Sequence, residues 1–195
     1  MTPLAPPYRA ATPDDAQALA ELVDFASEGL ALYLWGRTAG PGGDAWAIGR
    51  ERARREAGAF SYRNAIILER EGRIAAGLIG YPLPDQPQSI ADTLPPMFVP
   101  LQELENLAPG TWYVNVLAAY PQERGLGHGT ALLGLVEGLA AEARMGGLSI
   151  IVSDANTGAR RLYERVGYRE VARRRKVKEG WQNPGQDWVL LVKRP

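Results

Sequence analysis

The sequence predicts a mixed α/β (α+β) fold, and three patterns support this prediction. Residues 65–81 contain two apolar runs joined by Glu71-Gly72, which is a β-hairpin signal. Residues 111–152 alternate strand, amphipathic helix and strand, which predicts a parallel strand pair with a right-handed crossover. Further strands are predicted at 168–176 and 187–193. Together, the hairpins and the parallel pair predict a mixed, mostly antiparallel sheet with flanking helices.

The first sixty residues predict helices. Residues 12–15, Thr-Pro-Asp-Asp, form a helix start in which threonine caps the chain, proline follows, and carboxylates face the positive end of the helix dipole. A short helical piece is predicted at 30–35, a loop at 37–43, and a helix at 44–57 that Asp44 caps. We therefore expect helices before the first hairpin.

The middle of the chain predicts one long loop and then regular alternation. Residues 82–100 contain six prolines, and a loop of this length in a compact domain usually has a function. One or two helical turns are predicted at 101–107 and longer helices at 130–145 and 157–166. These helices supply the layers that cover the predicted sheet.

Composition excludes several function classes. The 195 residues predict a single domain, 1–195, and 46% hydrophobic residues are typical of a soluble globular protein. A net charge of zero argues against general nucleic-acid binding. With no cysteine and one histidine, His128, we expect no metal site. Since no apolar run approaches 18 residues and no signal-peptide pattern is present, we expect no membrane association and a cytoplasmic location.

The most informative segment is residues 121–130, Pro-Gln-Glu-Arg-Gly-Leu-Gly-His-Gly-Thr, where a strand leads into a helix. Glycines at this position let several backbone N–H groups converge, and a helix N-terminus adds positive partial charge. Such a turn can hold a phosphate group with few charged side chains. The alternative interpretation is a tight or flexible turn with a purely structural role.

Two nucleotide-binding patterns do not fit this turn. The dinucleotide fingerprint G-x-G-x-x-G would need glycine at 130 or 132, which are threonine and leucine. Asp154, at the end of the next predicted strand, is the one feature in its favour. A Walker A loop needs Gly-Lys-Ser/Thr, and the three lysines lie elsewhere, at 176, 178 and 193.

The pattern that does fit is Arg-x-x-Gly-x-Gly at Arg124, Gly127 and Gly129. Residues 156–168, Asn-Thr-Gly-Ala-Arg-Arg-Leu-Tyr-Glu-Arg-Val-Gly-Tyr, follow about 30 residues later in the form N-x-x-A-x-x-L-Y-x-x-x-G-Y. The two segments together resemble the acetyl-coenzyme A signature of the GNAT N-acetyltransferase superfamily. The close resemblance covers residues 111–175, and the order of elements extends it from about residue 8 to the C-terminus.

The resemblance implies a coenzyme site between two parallel strands that splay apart, here 111–118 and 148–152. The pantetheine arm would pair with the backbone at the end of the first strand, and the pyrophosphate would lie on amides of the glycine turn. Asn156 would contact the pantetheine region, and the Tyr163 hydroxyl would point at the coenzyme sulfur. The implied backbone contacts are at Leu117, Ala118, Ala119, Arg124, Gly125, Leu126, Gly127, His128, Gly129 and Thr130.

The implied chemistry needs an acid and a base. Tyr163 is the acid candidate, although helical spacing alone would place it in the core. The strand position where some relatives carry a glutamate holds Asn115 or Val116 here, and neither can be a general base. Asn115 could bind the substrate or hold a water. Glu103, Glu105 or an ordered water remain open, and the base is not assigned.

His128 has three interpretations: catalysis, contact with coenzyme phosphates, or simple exposure, because its side chain is expected to project outward from the turn. The basic run at 173–176 is expected to be a solvated strand whose alternation divides it between two faces. We expect Trp35, Trp46 and Trp112 to line the core or a pocket.

The predicted function is acetyl transfer from acetyl-CoA to the primary amine of a small molecule or peptide. Residues 1–60 and the loop at 82–110 would recognise the acceptor, and residues 111–175 would bind the coenzyme. Two alternatives stay open: a non-catalytic acyl-CoA-binding regulatory module and a nucleotide-dependent oxidoreductase. The resemblance is compatible with a homodimer, and 19 arginines against 3 lysines suggest a GC-rich bacterial genome.

Overall fold

A computed structural model describes residues 4–194 and contains one seven-stranded sheet within them, with the order β1-β2-β3-β4-β5-β7-β6. β4 and β5 are parallel, whereas β1–β2, β2–β3, β5–β7 and β6–β7 are antiparallel. The mixed, mostly antiparallel sheet with one parallel pair is therefore confirmed. The strands are β1 Tyr8–Ala10, β2 Ala65–Arg70, β3 Arg73–Pro82, β4 Trp112–Ala119, β5 Leu148–Ser153, β6 Arg169–Arg175 and β7 Asp187–Lys193.

The two helix starts predicted from capping residues, at Thr12 and Asp44, are both present. Thr12 and Asp15 form a capping box at the 3-10 turn Pro13–Asp15, and the Asp44 carboxylate accepts a hydrogen bond from the backbone N–H of Trp46 at 2.9 Å. The helices are α1 Ala16–Ala26, α2 Leu30–Ala39, α3 Ala45–Ala53, α4 Val99–Glu105, α5 His128–Glu142 and α6 Thr157–Arg165.

Some predicted boundaries were wrong. The second helix runs to Ala39 instead of residue 35, because Gly40, with φ +73°, is the first residue that breaks it. The third helix ends at Ala53 instead of residue 57, where the Arg55 N–H donates to the Arg52 carbonyl, three residues back, at 3.2 Å. The Arg55 carbonyl accepts a hydrogen bond from the Ser61 hydroxyl. The predicted helix at 130 already begins at His128. β1 was not predicted, because three residues are too few to show strand alternation.

Contacts divide the described chain into two compact units. The first unit comprises residues up to 81 together with 115–134, and the second comprises 82–114 together with residues from 135 onward. The prediction of a single domain stays a prediction. No helix among residues 4–194 is long and apolar enough to cross a membrane.

The core of the first unit lies between α1 and the strands β2, β3 and β4. Its fully or nearly fully buried side chains include Leu19 and Leu22 of α1, Ile67, Ile79 and Val116. Partly buried Phe25, Ala118 and Tyr120 pack against the same cluster. This packing fixes the end of β4 against the C-terminal half of α1.

The second unit is built around β5 and β7. Val189, Leu190 and Leu191 of β7 are completely buried, and Tyr168, which precedes β6, is too. In the same unit the buried hydroxyl of Thr111 donates to the Ala108 carbonyl at 2.7 Å. The centre of the unit is therefore an apolar sheet in which the Thr111 hydroxyl is paired, while the buried Tyr168 hydroxyl has no hydrogen-bond partner among the described residues.

Candidate active site

The end of β4 and the following turn form the first part of the candidate site, and both lie in the first unit. The backbone N–H of Tyr120 donates to the Ala75 carbonyl of β3 at 3.0 Å, which fixes the strand end. Leu117, Ala118 and Ala119, predicted to pair with pantetheine, are half-buried. Their contact with a coenzyme remains a prediction.

The glycine turn has the conformation that only glycine adopts readily. Gly125 and Gly127 have φ of +79° and +88°, and a Cβ at either position would meet no atom within 4 Å. The turn is largely exposed and leads directly into α5, whose first N–H groups have no acceptor within the helix. The geometry therefore fits an anion such as a pyrophosphate.

Arg124, the first residue of the Arg-x-x-Gly-x-Gly pattern, anchors the turn to α1. Its guanidinium lies 5.7 Å from the centre of the Phe25 ring, within the range of a cation–π contact. Its Nε also donates to the Ala119 carbonyl at 3.4 Å. The turn is thus held at both the strand end and the helix.

His128 does not project outward, contrary to expectation. Its side chain is 13% exposed, and Nε2 lies 3.1 Å from a carboxylate oxygen of Glu123. Arg70 approaches the same oxygen at 3.3 Å. The hydrogen bond with His128, aided by Arg70, holds the pKa of Glu123 below its ordinary value. The histidine therefore belongs to a charged cluster on the turn, and its role toward a ligand stays a prediction.

Asn115 lies in the part of β4 that belongs to the first unit. It is half-buried, and its side chain makes no hydrogen bond to any residue between 4 and 194. A half-buried amide without a partner can donate to or accept from a bound molecule. Contact between Asn115 and the substrate stays a prediction.

The second unit holds the other two predicted residues. The Asn156 side-chain oxygen accepts from the Ala159 N–H at 3.1 Å and caps α6, while its amide nitrogen makes no bond to the described residues. Tyr163 is 5% exposed, and its ring centre lies 5.9 Å from that of Tyr168. Burial raises the pKa of Tyr163, and its hydroxyl has no described partner. The ring therefore packs in the core, and the protonated hydroxyl remains able to donate.

The two glutamates considered as bases behave differently. The Glu103 carboxylate accepts from Nε of Arg174 at 2.6 Å, which indicates a structural ion pair. Glu105 has no such partner within 4–194, and burial raises its pKa to about 7. Its carboxyl lines a small recess with Pro84 and Pro109, next to the start of β4.

Two features were missed by the sequence analysis. Lys176, expected in a solvated strand, is 7% exposed and lies 4.3 Å from the centre of the Trp188 ring. In the first unit the Tyr120 hydroxyl donates to the Glu21 carboxylate at 2.5 Å. No local pattern marks either contact, because each joins residues far apart in sequence.

Comparison with known families shows which protein family the chain belongs to. A sequence profile of the acetyltransferase (GNAT) family matches residues 31–168. The chain belongs to the GNAT acetyltransferase family. The profile covers the glycine turn and ends at Tyr168, so both predicted motif segments lie inside it.

Solved structures show the same fold. An acetyltransferase shares 20% identity at a TM-score of 0.63, with 96% of this chain and 98% of that chain covered. An N-acetyltransferase from Staphylococcus aureus Mu50 shares 18% at 0.62, covering 95% and 98%. A GNAT family acetyltransferase from Elizabethkingia anophelis, solved with acetyl-CoA bound, shares 18% at 0.51, covering 67% and 75%. No curated protein sequence matches this GNAT chain significantly.

No group of three or more histidine, cysteine, aspartate or glutamate side chains placed to hold a metal ion exists among residues 4–194. The expectation of a metal-free reaction remains a prediction.

Proposed function

We propose that this GNAT protein transfers an acetyl group from acetyl-CoA to the primary amine of a small molecule. The observation that carries the proposal is the glycine turn, because its positive-φ glycines and the start of α5 present backbone amides to an exposed surface. The Elizabethkingia anophelis relative with acetyl-CoA bound supports the choice of coenzyme.

In this proposal the chain binds the coenzyme mainly through its backbone. Leu117, Ala118 and Ala119 would pair with pantetheine, and amides of residues 124–130 would hold the pyrophosphate. Acetyl-CoA supplies an activated thioester, so the protein has to orient it and manage two protons. Asn156 would donate its free amide to the coenzyme, and the Tyr163 hydroxyl would donate a proton to the departing thiolate.

The acceptor is proposed from charge and from the helices of the first unit. The sequence carries equal numbers of acidic and basic residues, so it offers no special reason to expect a strongly basic peptide or a polyamine. We propose that α1 and α2 contact a small amine, with Asn115 as a further polar contact. A peptide acceptor, a cytoplasmic location, a bacterial source and a homodimer stay predictions.

The second candidate is an acyl-CoA-binding regulatory module without turnover. One observation favours it: β4 carries no carboxylate, since Asn115 and Val116 occupy the middle of the strand. A thiol-release assay with acetyl-CoA and a library of primary amines separates the candidates. Amine-dependent release supports the enzyme, whereas coenzyme binding without release supports the module.

The coenzyme site itself is tested by Gly127→Glu. The substitution places a negative charge and a side chain where the phosphates would lie, so we expect coenzyme A affinity to fall at least 100-fold, or about 2.7 kcal/mol. Gly58→Glu is the matched control, because Gly58 also has positive φ (+94°) and open space around its Cβ. Calorimetry measures the affinity of both variants for coenzyme A. Equal affinity in the two would assign the turn a structural role only.

A further inference from the structure

Acetyl transfer requires the acceptor amine to lose a proton. An alkyl amine with a pKa near that of lysine, about 10.4, is almost fully protonated at neutral pH and cannot attack a thioester in that form. The described strand β4 supplies no carboxylate and no histidine, because its residues run Trp-Tyr-Val-Asn-Val-Leu-Ala-Ala. A carboxylate that serves as the proton acceptor therefore has to come from another element.

A carboxylate approaches the end of β4 from α1. Glu21 and Phe25 are four residues apart, so they share one face of the helix. The Phe25 ring meets Tyr120 edge-on at 5.8 Å between ring centres, and one Glu21 carboxylate oxygen accepts the Tyr120 hydroxyl at 2.5 Å. Tyr120 directly follows β4 and precedes the turn that begins at Pro121.

The remaining contacts hold this carboxylate in place. The other Glu21 oxygen accepts from the amide of Gln17 at 2.6 Å, and the oxygen of that amide accepts from Arg50 of α3 at 3.1 Å. Arg50 in turn pairs with Asp44 at 3.0 Å. None of the hydrogen bonds to Glu21 from residues 4–194 comes from a cation, so its charge is not neutralised by a salt bridge.

We propose that Tyr120 and Glu21 form the proton acceptor of the reaction, an inference that rests on the proposed acetyl transfer. The Tyr120 oxygen takes a proton from the acceptor ammonium while its own hydroxyl proton passes to the Glu21 carboxylate. One N–H bond breaks and one O–H bond forms at Glu21, so the products are a neutral amine, an unchanged tyrosine and a neutral carboxylic acid. Tyr120 is the catalytic residue, and Glu21 drives the transfer through it.

The environment of Tyr120 favours a concerted transfer. Burial first, and then the hydrogen bond to Glu21, raise the pKa of Tyr120, so a free phenolate is disfavoured. A tyrosine that donates its hydroxyl proton while it accepts another proton never carries the negative charge of a phenolate. The charged groups on the elements around the pair have contacts of their own. Arg124 lies over Phe25, Asp24 of α1 accepts from the Leu32 N–H at 3.0 Å, and Arg50 of α3 donates to Gln17.

The other two carboxylates fit the role less well. Glu103 would have to give up its 2.6 Å bond to Arg174. Glu105 lies beside Pro109, before the first residue of β4, whereas the proposed coenzyme contacts lie at the last residues of that strand. Glu21 is the carboxylate that reaches the residue directly after these contacts.

The test compares Glu21→Gln, Glu21→Asp and Tyr120→Phe with the wild type, using acetyl-CoA and the best acceptor from the amine library. We expect kcat/KM of Glu21→Gln and Tyr120→Phe to fall about 10²–10⁴-fold, the range of a positioned base. Glu21→Asp should recover part of the loss. In Glu21→Asp the kcat/KM pH profile should keep the acidic limb of the wild type. In Glu21→Gln the acidic limb should reflect only the deprotonation of the acceptor amine.

A second tyrosine–glutamate pair in the same unit is the matched control. The Tyr62 hydroxyl donates to Glu56 at 2.7 Å on the exposed surface, and Tyr62 lies outside residues 1–60, so Tyr62→Phe should keep the wild-type rate. Calorimetry with coenzyme A and melting curves show whether each variant still binds and folds.

The outcomes separate the two proposals. A wild type that releases no thiol with any amine overturns both the transfer and the pair. An active wild type with an unchanged rate and pH profile in folded Glu21→Gln overturns the pair alone. A loss confined to coenzyme A affinity also overturns it, since it assigns Glu21 to binding.

Discussion

Lys176→Met is expected to destabilise the second unit. The Lys176 ammonium is buried and donates to the Ser153 hydroxyl at 2.6 Å and to the Asn183 side-chain oxygen at 2.8 Å. It also lies 4.3 Å and 5.4 Å from the ring centres of Trp188 and Trp181. It therefore joins the loop after β6 to the last residue of β5.

The magnitude follows from these contacts. Hydrogen bonds from a charged group contribute about 1.5–3 kcal/mol each, so two contribute about 3–6 kcal/mol. Methionine removes both bonds, although the Asn183 oxygen keeps its hydrogen bond from the Gly185 N–H at 2.9 Å. It also restores apolar packing on the tryptophans and relieves the desolvation of the ammonium. We expect a net loss of about 2–4 kcal/mol, which lowers the Tm of a chain this size by about 5–15 °C.

Urea unfolding followed by tryptophan fluorescence measures this loss, because the stacked rings of Trp181 and Trp188, 6.0 Å apart, surround the lysine. Lys178→Met is the control, since that half-buried lysine makes only one described hydrogen bond, to the Asn183 carbonyl. A Lys176→Met variant within about 0.5 kcal/mol of the wild type would refute the reasoning. It would show that desolvation offsets the hydrogen bonds completely, as in some buried ion pairs.

Two further substitutions test the titratable groups. Tyr163→Phe keeps the buried ring, so folding and coenzyme A affinity should persist while kcat falls about 10²-fold. Wild-type turnover in this variant, with chemistry shown to be rate-limiting, would leave Tyr163 with a role in core packing only. Glu105 has its pKa raised from 4.5 to about 7, so the folded state binds the extra proton and stability falls as pH rises between these values. Glu105→Gln should remove this fall, and urea unfolding at pH 5 and pH 8 measures it. A variant whose free energy of unfolding depends on pH as that of the wild type does would contradict this expectation.

The parts of the fold that the sequence predicted are those controlled by neighbouring residues. Apolar spacing, the Asp44 cap and the glycines after α5 act within a few positions, and the corresponding elements lie close to the predicted ranges. β1 was not predicted because it forms through pairing with β2, in which Tyr8 lies opposite Leu68. A three-residue strand is defined by its partner and carries no period of its own.

The buried lysine shows the same limit for side chains. Alternation predicted that residues 173–176 would divide between two faces. Arg174 in β6 and Lys176 directly after it are less exposed than Arg173 and Arg175. Alternation could not predict that Trp181, Asn183 and Ser153 would enclose one of these cations, because the enclosing loop begins only after the strand has ended.

The proposed coenzyme binding and the proposed proton transfer therefore differ in how well a sequence predicts them. Binding through backbone amides demands glycine at fixed spacing, since only glycine tolerates the positive φ seen at Gly125 and Gly127. Proton transfer demands only that a carboxylate reach one hydroxyl, and Glu21 and Tyr120 meet this demand across 99 residues. The glycine motif is therefore visible in the sequence and supports the proposed coenzyme, whereas the proposed base can be inferred only from contacts between distant residues.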